Sequence, residues 1–258
     1  MDRRAAGRDR PRWTTRLTDE QLDELEGAGR RLIADAVGLH EVTAERFPIP
    51  SLGGQVAHWR DELRSGLGVV LVGSLPVRRW GPRSCPPTCT GVSATTSVGR
   101  RTLPAGLLGH VTDYGDSDPT RLVRSYRTAG DIAFHCDAAD VVELLCLRTV
   151  AEGGRRIASS VSVFSRLLAE SPDLAAGLFE PFAVDRRDEQ DVGEAPTFDM
   201  PPCAQDGTSL RTFWHSDYIP GPRSADESSS RICGVALDRY GAIAGEPEMH
   251  LDMSAGRG

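Results

Sequence analysis

Apolar residues recur along this chain at two different spacings. Leu22, Leu25 and Leu32 fall at helical intervals behind Thr18, with Gln21 three residues after that threonine. Threonine followed by glutamine at that distance is a capping box, so a helix is expected to start there. A second helix is expected over roughly residues 53–64, stopping at Gly66. The continuous apolar run "GVVLVGSLPV" (68–77) reads as a buried strand closed by Pro76. Order then lapses: residues 81–105, "GPRSCPPTCTGVSATTSVGRRTLPA", hold almost no large apolar residue and follow neither period. A loop that long inside a domain is anomalous.

Shorter periods follow from Leu107 onward. "RLVRSYRT" (121–128) and "DIAFHCD" (131–137) read as short strands, and "VVELLCLRTV" (141–150) as a buried one turning at Gly153-Gly154. Ser171-Pro172-Asp173 predicts a helix start, with serine as N-cap and proline in the first turn. After the strand "PFAVDRR", Asp206-Gly207 between "TFDMPPCA" and "SLRTFWHSDYI" predicts a hairpin. Residues 220–230 read as a loop, "GVALDRYGAIA" (234–244) as a helix and "MHLDM" (249–253) as the start of a strand. Many short strands, few helices and no strict βαβ alternation predict a mainly β chain with flanking helices (α+β). Its arrangement is expected to be an antiparallel sandwich or jelly roll, the double-stranded β-helix. The expected organisation is a loose basic tail over 1–16 and a single domain over 17–258.

Composition narrows the function. Of 258 residues, 39% are hydrophobic and the net charge is −7, as in an ordinary globular protein large enough to bury a core. The acidic balance, with no basic stripe interleaved with aromatics, argues against nucleic acid as a partner. No apolar run reaches membrane-span length, so no membrane role is expected. Cys136, Cys146 and Cys233 sit in apolar settings that suit reduced thiols, and Cys85 and Cys89 form a lone CxxxC without a second pair. The cytoplasm is the expected compartment. The pattern does not fix the oligomeric state. All thirty basic residues are arginine and asparagine is absent, which points to a GC-rich gene.

The chemistry centres on His135 and Asp137. On a strand, residues two apart project to the same face, so this imidazole and this carboxylate can reach one metal ion. They supply two of the three ligands of the facial triad that holds non-haem Fe(II). By spacing alone, a surface histidine beside an exposed aspartate is the simpler account of the pair.

The stretch around them, "YRTAGDIAFHCDAADVVELLCLRTVAEGGRRIASSVSVFSRLLAESPDLAAGLFEPFAVDRRDE", resembles the TauD/TfdA-like family of Fe(II)- and 2-oxoglutarate-dependent dioxygenases, near its clavaminate synthase-like branch. The resemblance covers roughly residues 107–219. It implies that His135 and Asp137 bind iron, and that Ser159 touches the co-substrate 2-oxoglutarate. Ser159 reads equally well as the N-cap of a helix beginning near Ser160. The implied reaction couples oxidative decarboxylation of 2-oxoglutarate to hydroxylation of a small molecule by O2, in a setting such as antibiotic biosynthesis.

The resemblance also implies a second histidine ligand and an arginine clamp beyond the "MHLDM"-like strand. The sequence reaches Gly258 before either, so the usual third ligand is expected to be missing. Within the chain, His215 lies in a second HxD, "FWHSDYI", and is a low-ranked substitute. His250, His110, His40 and His58 rank below it. Two frameshifts in a GC-rich gene would account for both the anomalous 81–105 stretch and the missing tail; genuine truncation is the other account. Two function classes follow: an iron oxygenase, or a truncated, catalytically inactive product, either a jelly roll that binds a small molecule or the product of a pseudogene.

Overall fold

Helix α1 (Asp19–Ala34) begins at the capping box. Thr18 Oγ1 accepts the Gln21 N–H at 3.3 Å, and the Gln21 side chain accepts the Thr18 N–H at 3.0 Å. The computed structural model describes residues 13–73, 75–80, 132–137, 139, 141–147, 156–186, 190–215 and 229–252. The readings of 81–105 and of "RLVRSYRT" as a strand lie outside these residues. The chain divides into two compact units.

One unit is built around the described residues 13–80 and 141–147. Helix α1 buries Leu25, Ala28 and Leu32 against Val42, Phe47, Leu52 and the inner face of α2 (Gly53–Ser65), which contributes Val56 and Trp59. Strand β1 (Thr14–Arg16) runs parallel to β2 (Leu71–Gly73), with Thr14 opposite Leu71. Thr15 Oγ1 accepts from both Trp59 Nε1 (2.9 Å) and Gln55 Nε2 (3.1 Å), which ties the strand to α2. Residues 13–16, expected within a loose tail, are thus part of this unit, and Trp13 is buried. The strand expected across 68–77 is confined to 71–73 and only half-buried, because β1 has just three residues with which to pair. The run at 141–147, expected as a buried strand, is irregular, with Val142, Leu144 and Leu147 exposed. Leu145 is the residue of that run that packs against the core. Apolar content alone does not make a strand where no neighbouring strand takes up its backbone bonds.

The other unit is built around 132–139 and 156–252. Its elements are β3 (Arg156–Ala158), α3 (Ser160–Glu170), α4 (Pro172–Gly177), β4 (Phe182–Asp185), β5 (Thr197–Met200), β6 (Cys203–Asp206), β7 (Ser209–Thr212), α5 (Ser229–Gly245) and β8 (His250–Asp252). The strands pair antiparallel two by two, β3 with β8, β4 with β5 and β6 with β7. Among the described residues no closed barrel forms, and the architecture is a mixture of helices and small sheets. "TFDM" belongs to β5 and pairs with β4 rather than with the hairpin. The hairpin itself is β6–β7, closed by Gly207-Thr208, with Gly207 at φ +58° supplying the left-handed residue a tight turn needs. Ala236, Leu237, Tyr240, Ile243 and Ala244 recur along one face of α5 and close the core on Val163 and Leu167 of α3, Leu178, Cys203 and Trp214.

Candidate metal centre

The segment 133–137 is not in a regular strand, yet it runs beside the continuation of the hairpin. After β7, the Phe213 N–H still bonds to the Pro202 carbonyl at 2.8 Å, and the Trp214 carbonyl accepts the Cys136 N–H at 2.6 Å. On the side-chain side, Cys136 Sγ lies 3.6 Å from Thr212 Oγ1. The Tyr240 phenol donates to the Ser160 carbonyl at 3.0 Å, which ties α5 to the start of α3. Burial pushes the Tyr240 phenol well above its usual range, with Cys136 and Cys203 adding to the effect. Burial likewise raises the Cys136 thiol, opposed by its bonds to Thr212 and Trp214 and aided by the charge of Asp137.

This backbone pairing brings two histidines together. The rings of His135 and His215 lie 4.5 Å apart between centroids, tilted by 42°. Asp137 Oδ1 stands 3.7 Å from His135 Nε2, too far for a hydrogen bond. One ligand atom from each of His135, Asp137 and His215 lies within 4.8 Å of the others. His135 and Asp137 are exposed and His215 is half-buried, so the group opens to solvent on one side.

The donor set suits a divalent ion. His135 Nδ1 lies 2.8 Å from the Ala133 carbonyl, which can only accept, so Nδ1 carries the proton and Nε2 keeps its lone pair. With ligand bonds of about 2.1 Å, two ligand atoms on one ion stand about 3.0–3.4 Å apart for right-angle to tetrahedral geometry. The observed 3.7 Å to 4.8 Å is therefore an open version of such a set. Rotamer changes of the three side chains would close it. Two imidazoles and one carboxylate are the donor types of the facial triad for non-haem iron.

Sequence reasoning ranked His215 low because the resemblance placed no ligand on this strand. The signal was present: "FWHSDYI" alternates, and the structure buries Trp214 while His215 joins His135. Asp217, the partner expected to share its face, and His110 lie outside the described residues. His40 and His58 belong to the other unit, and His250 opens β8. Ser159 is the N-cap of α3, its Oγ accepting the Ser162 N–H at 3.3 Å. Its neighbour β3 lies beside the 133–137 segment, where the Arg156 guanidinium sits 5.7 Å over the Phe134 ring.

No family model matches the chain. The chain is 24% identical to the FR-33289 synthase of Streptomyces rubellomurinus, over 97% of its own length and 75% of that protein's. This is a distant similarity to a synthase, extending across nearly the whole chain. Among the described residues no helix is long and apolar enough to cross a membrane.

Proposed function

We propose that this chain is an Fe(II)- and 2-oxoglutarate-dependent oxygenase that hydroxylates or otherwise oxidises a small molecule in a biosynthetic pathway. The convergence of His135, Asp137 and His215 carries the reading. The resemblance of residues 107–219 to the TauD/TfdA-like dioxygenases and the distant similarity to a synthase support it. On this reading the small sheets β3–β8 and β6–β7 are parts of a jelly roll, and His215 supplies the second histidine.

Iron, when bound, would activate O2 for a reaction that splits 2-oxoglutarate to succinate and CO2, one oxygen atom of O2 entering the succinate and the other the substrate. The protein's residues do the rest. His135 keeps its proton on Nδ1 against the Ala133 carbonyl and so offers Nε2 in one fixed tautomer. Asp137 would offset one of the two positive charges of the ion. With His135 and His215 it would hold the ion through three protein ligands, the donor types of the facial triad. Ser159, whose capping bond uses an oxygen lone pair, still has its hydroxyl proton to donate to a 2-oxoglutarate carboxylate.

The test is succinate formation and O2 uptake by the full chain with Fe(II) and 2-oxoglutarate. We expect turnover that His135→Ala, Asp137→Ala or His215→Ala each abolish. Iron binding without 2-oxoglutarate consumption would remove the co-substrate from the reading. Absence of both iron binding and turnover would favour the inactive small-molecule-binding jelly roll.

A further inference from the structure

Trp214 is the joint between the two imidazoles. Its carbonyl accepts the Cys136 N–H, between His135 and Asp137, and the next residue along the chain is His215. Where the Trp214 backbone lies therefore decides how far His215 stands from the other two donors.

The indole decides where that backbone lies. It is 9% exposed and meets the Tyr240 ring edge-on at 5.8 Å between centroids. It sits in a seam with Leu178, Pro202, Cys203, Thr212 and Leu237 that leaves no room for a water molecule. Its Nε1 is buried without a hydrogen-bond partner, so shape rather than a polar anchor holds the ring. The shape is completed by Gly241 on α5. A Cβ there would stand 2.7 Å from Trp214 Cζ2 and 2.8 Å from Cη2, closer than packed atoms approach.

We propose that Gly241 is a positioning residue for the metal centre. Its missing side chain seats the Trp214 indole against α5, and the seated indole sets His215 beside His135 and Asp137. The proposal rests on the metal-centre reading above. A methyl at 241 displaces the indole, and the displacement passes to His215 through one peptide unit. Alanine's better helix propensity offsets part of the overpacking in stability, but it cannot return His215 to its place. Metal affinity should therefore fall without a matching fall in stability.

The test titrates the full chain with Co(II) alone, reading affinity and the visible d–d spectrum, which reports ligand geometry. The variants are Gly241→Ala, Gly241→Ala/Trp214→Phe and Gly234→Ala. A Cβ at Gly234, on the same helix, meets nothing within 4 Å. Gly234→Ala should bind as the wild type does. Gly241→Ala should bind at least about tenfold more weakly, the scale of outer-shell defects, with an altered spectrum. The double variant should recover most of the loss, because phenylalanine lacks the two ring atoms that meet the new methyl. If Gly241→Ala alone does not fold, the double variant decides: wild-type-like binding supports the proposal, and folding without binding overturns it. Wild-type binding that Gly241→Ala leaves unchanged overturns this proposal alone. Wild-type Co(II) binding that is absent, or indifferent to His135→Ala and His215→Ala, overturns the metal-centre reading and this proposal with it.

Discussion

Replacing His215 by alanine should erase most of the stability that a divalent ion confers. An ion that binds the folded chain at 100 times its dissociation constant stabilises it by about 2.7 kcal/mol. On the proposed reading the three donors gathered within 4.8 Å form one binding unit, and His215 is one of its two nitrogen ligands. Outer-shell changes alone cost about 10–100-fold in affinity, so loss of a direct ligand should reach at least the upper figure, about 100-fold. The same ion concentration then equals the dissociation constant, and the stabilisation falls to about 0.4 kcal/mol. At roughly 2–4 °C per kcal/mol for a domain of this size, the Co(II)-induced rise in Tm should drop from roughly 5–11 °C to about 1–2 °C. Thermal unfolding with and without Co(II) measures this, and any change in metal-free stability cancels in the difference. His135→Ala and Asp137→Ala should lose the shift likewise. His40→Ala, in the other compact unit, should keep it. A full shift in His215→Ala, or an equal loss in His40→Ala, refutes the assignment.

Three other outcomes are expected. Helix α1 ends in a Schellman arrangement, with Val37 N–H on the Leu32 carbonyl (2.9 Å) and Ala36 N–H on that of Ile33 (3.1 Å), and Ala36 at φ +50°. Ala36→Gly removes about 1–2 kcal/mol of left-handed strain and adds back about 0.4–1 kcal/mol of unfolded-state entropy; urea unfolding should show a net gain of about 0.5–1 kcal/mol, and a loss would contradict the cap. Exposed Cys146 should alkylate with iodoacetamide well before Cys136, whose thiol is held protonated by burial; peptide mass mapping that finds Cys136 modified first would overturn this. Bonds from Arg239 and then Arg166 hold the Glu170 carboxyl below its usual range. A depressed carboxylate contributes stability above its unfolded value of about 4.3 that is lost as pH falls through the lower folded value. Glu170→Gln should therefore flatten the acid limb of the stability curve, and salt should shrink the difference, since these groups are in solvent.

Features set by a few neighbouring residues were legible in the sequence. The Thr18–Gln21 capping box, the end of α2 at Gly66, the helix at Pro172 and the left-handed Gly207 each need only residues within one turn of themselves. Ser171 shows the limit even there: the helix begins, but at φ −152° and ψ 82° its side chain makes no capping bond. Pairing partners were not legible. Nothing within "TFDM" says that it joins β4 rather than the hairpin, and the apolar run at 141–147 carries the composition of a buried strand while lying exposed. The metal centre divides the same way. His135 and Asp137 are two apart and could be read together. His215 joins them through the bond between Cys136 and Trp214, a contact between segments far apart in the chain, and Gly241 enters through an indole that no local pattern places next to it.

The parallel pairing of β1 with β2 has a consequence for how the chain comes off the ribosome. Thr14 cannot meet Leu71 until both helices between them have been made, and Leu17 has no finished core to enter before then. At roughly 5–20 residues per second, synthesis leaves that early apolar segment waiting on the order of several seconds. During that interval a nascent-chain chaperone can hold it, and a synonymous slow codon between β1 and β2 would lengthen the exposure without changing a single residue of the finished protein.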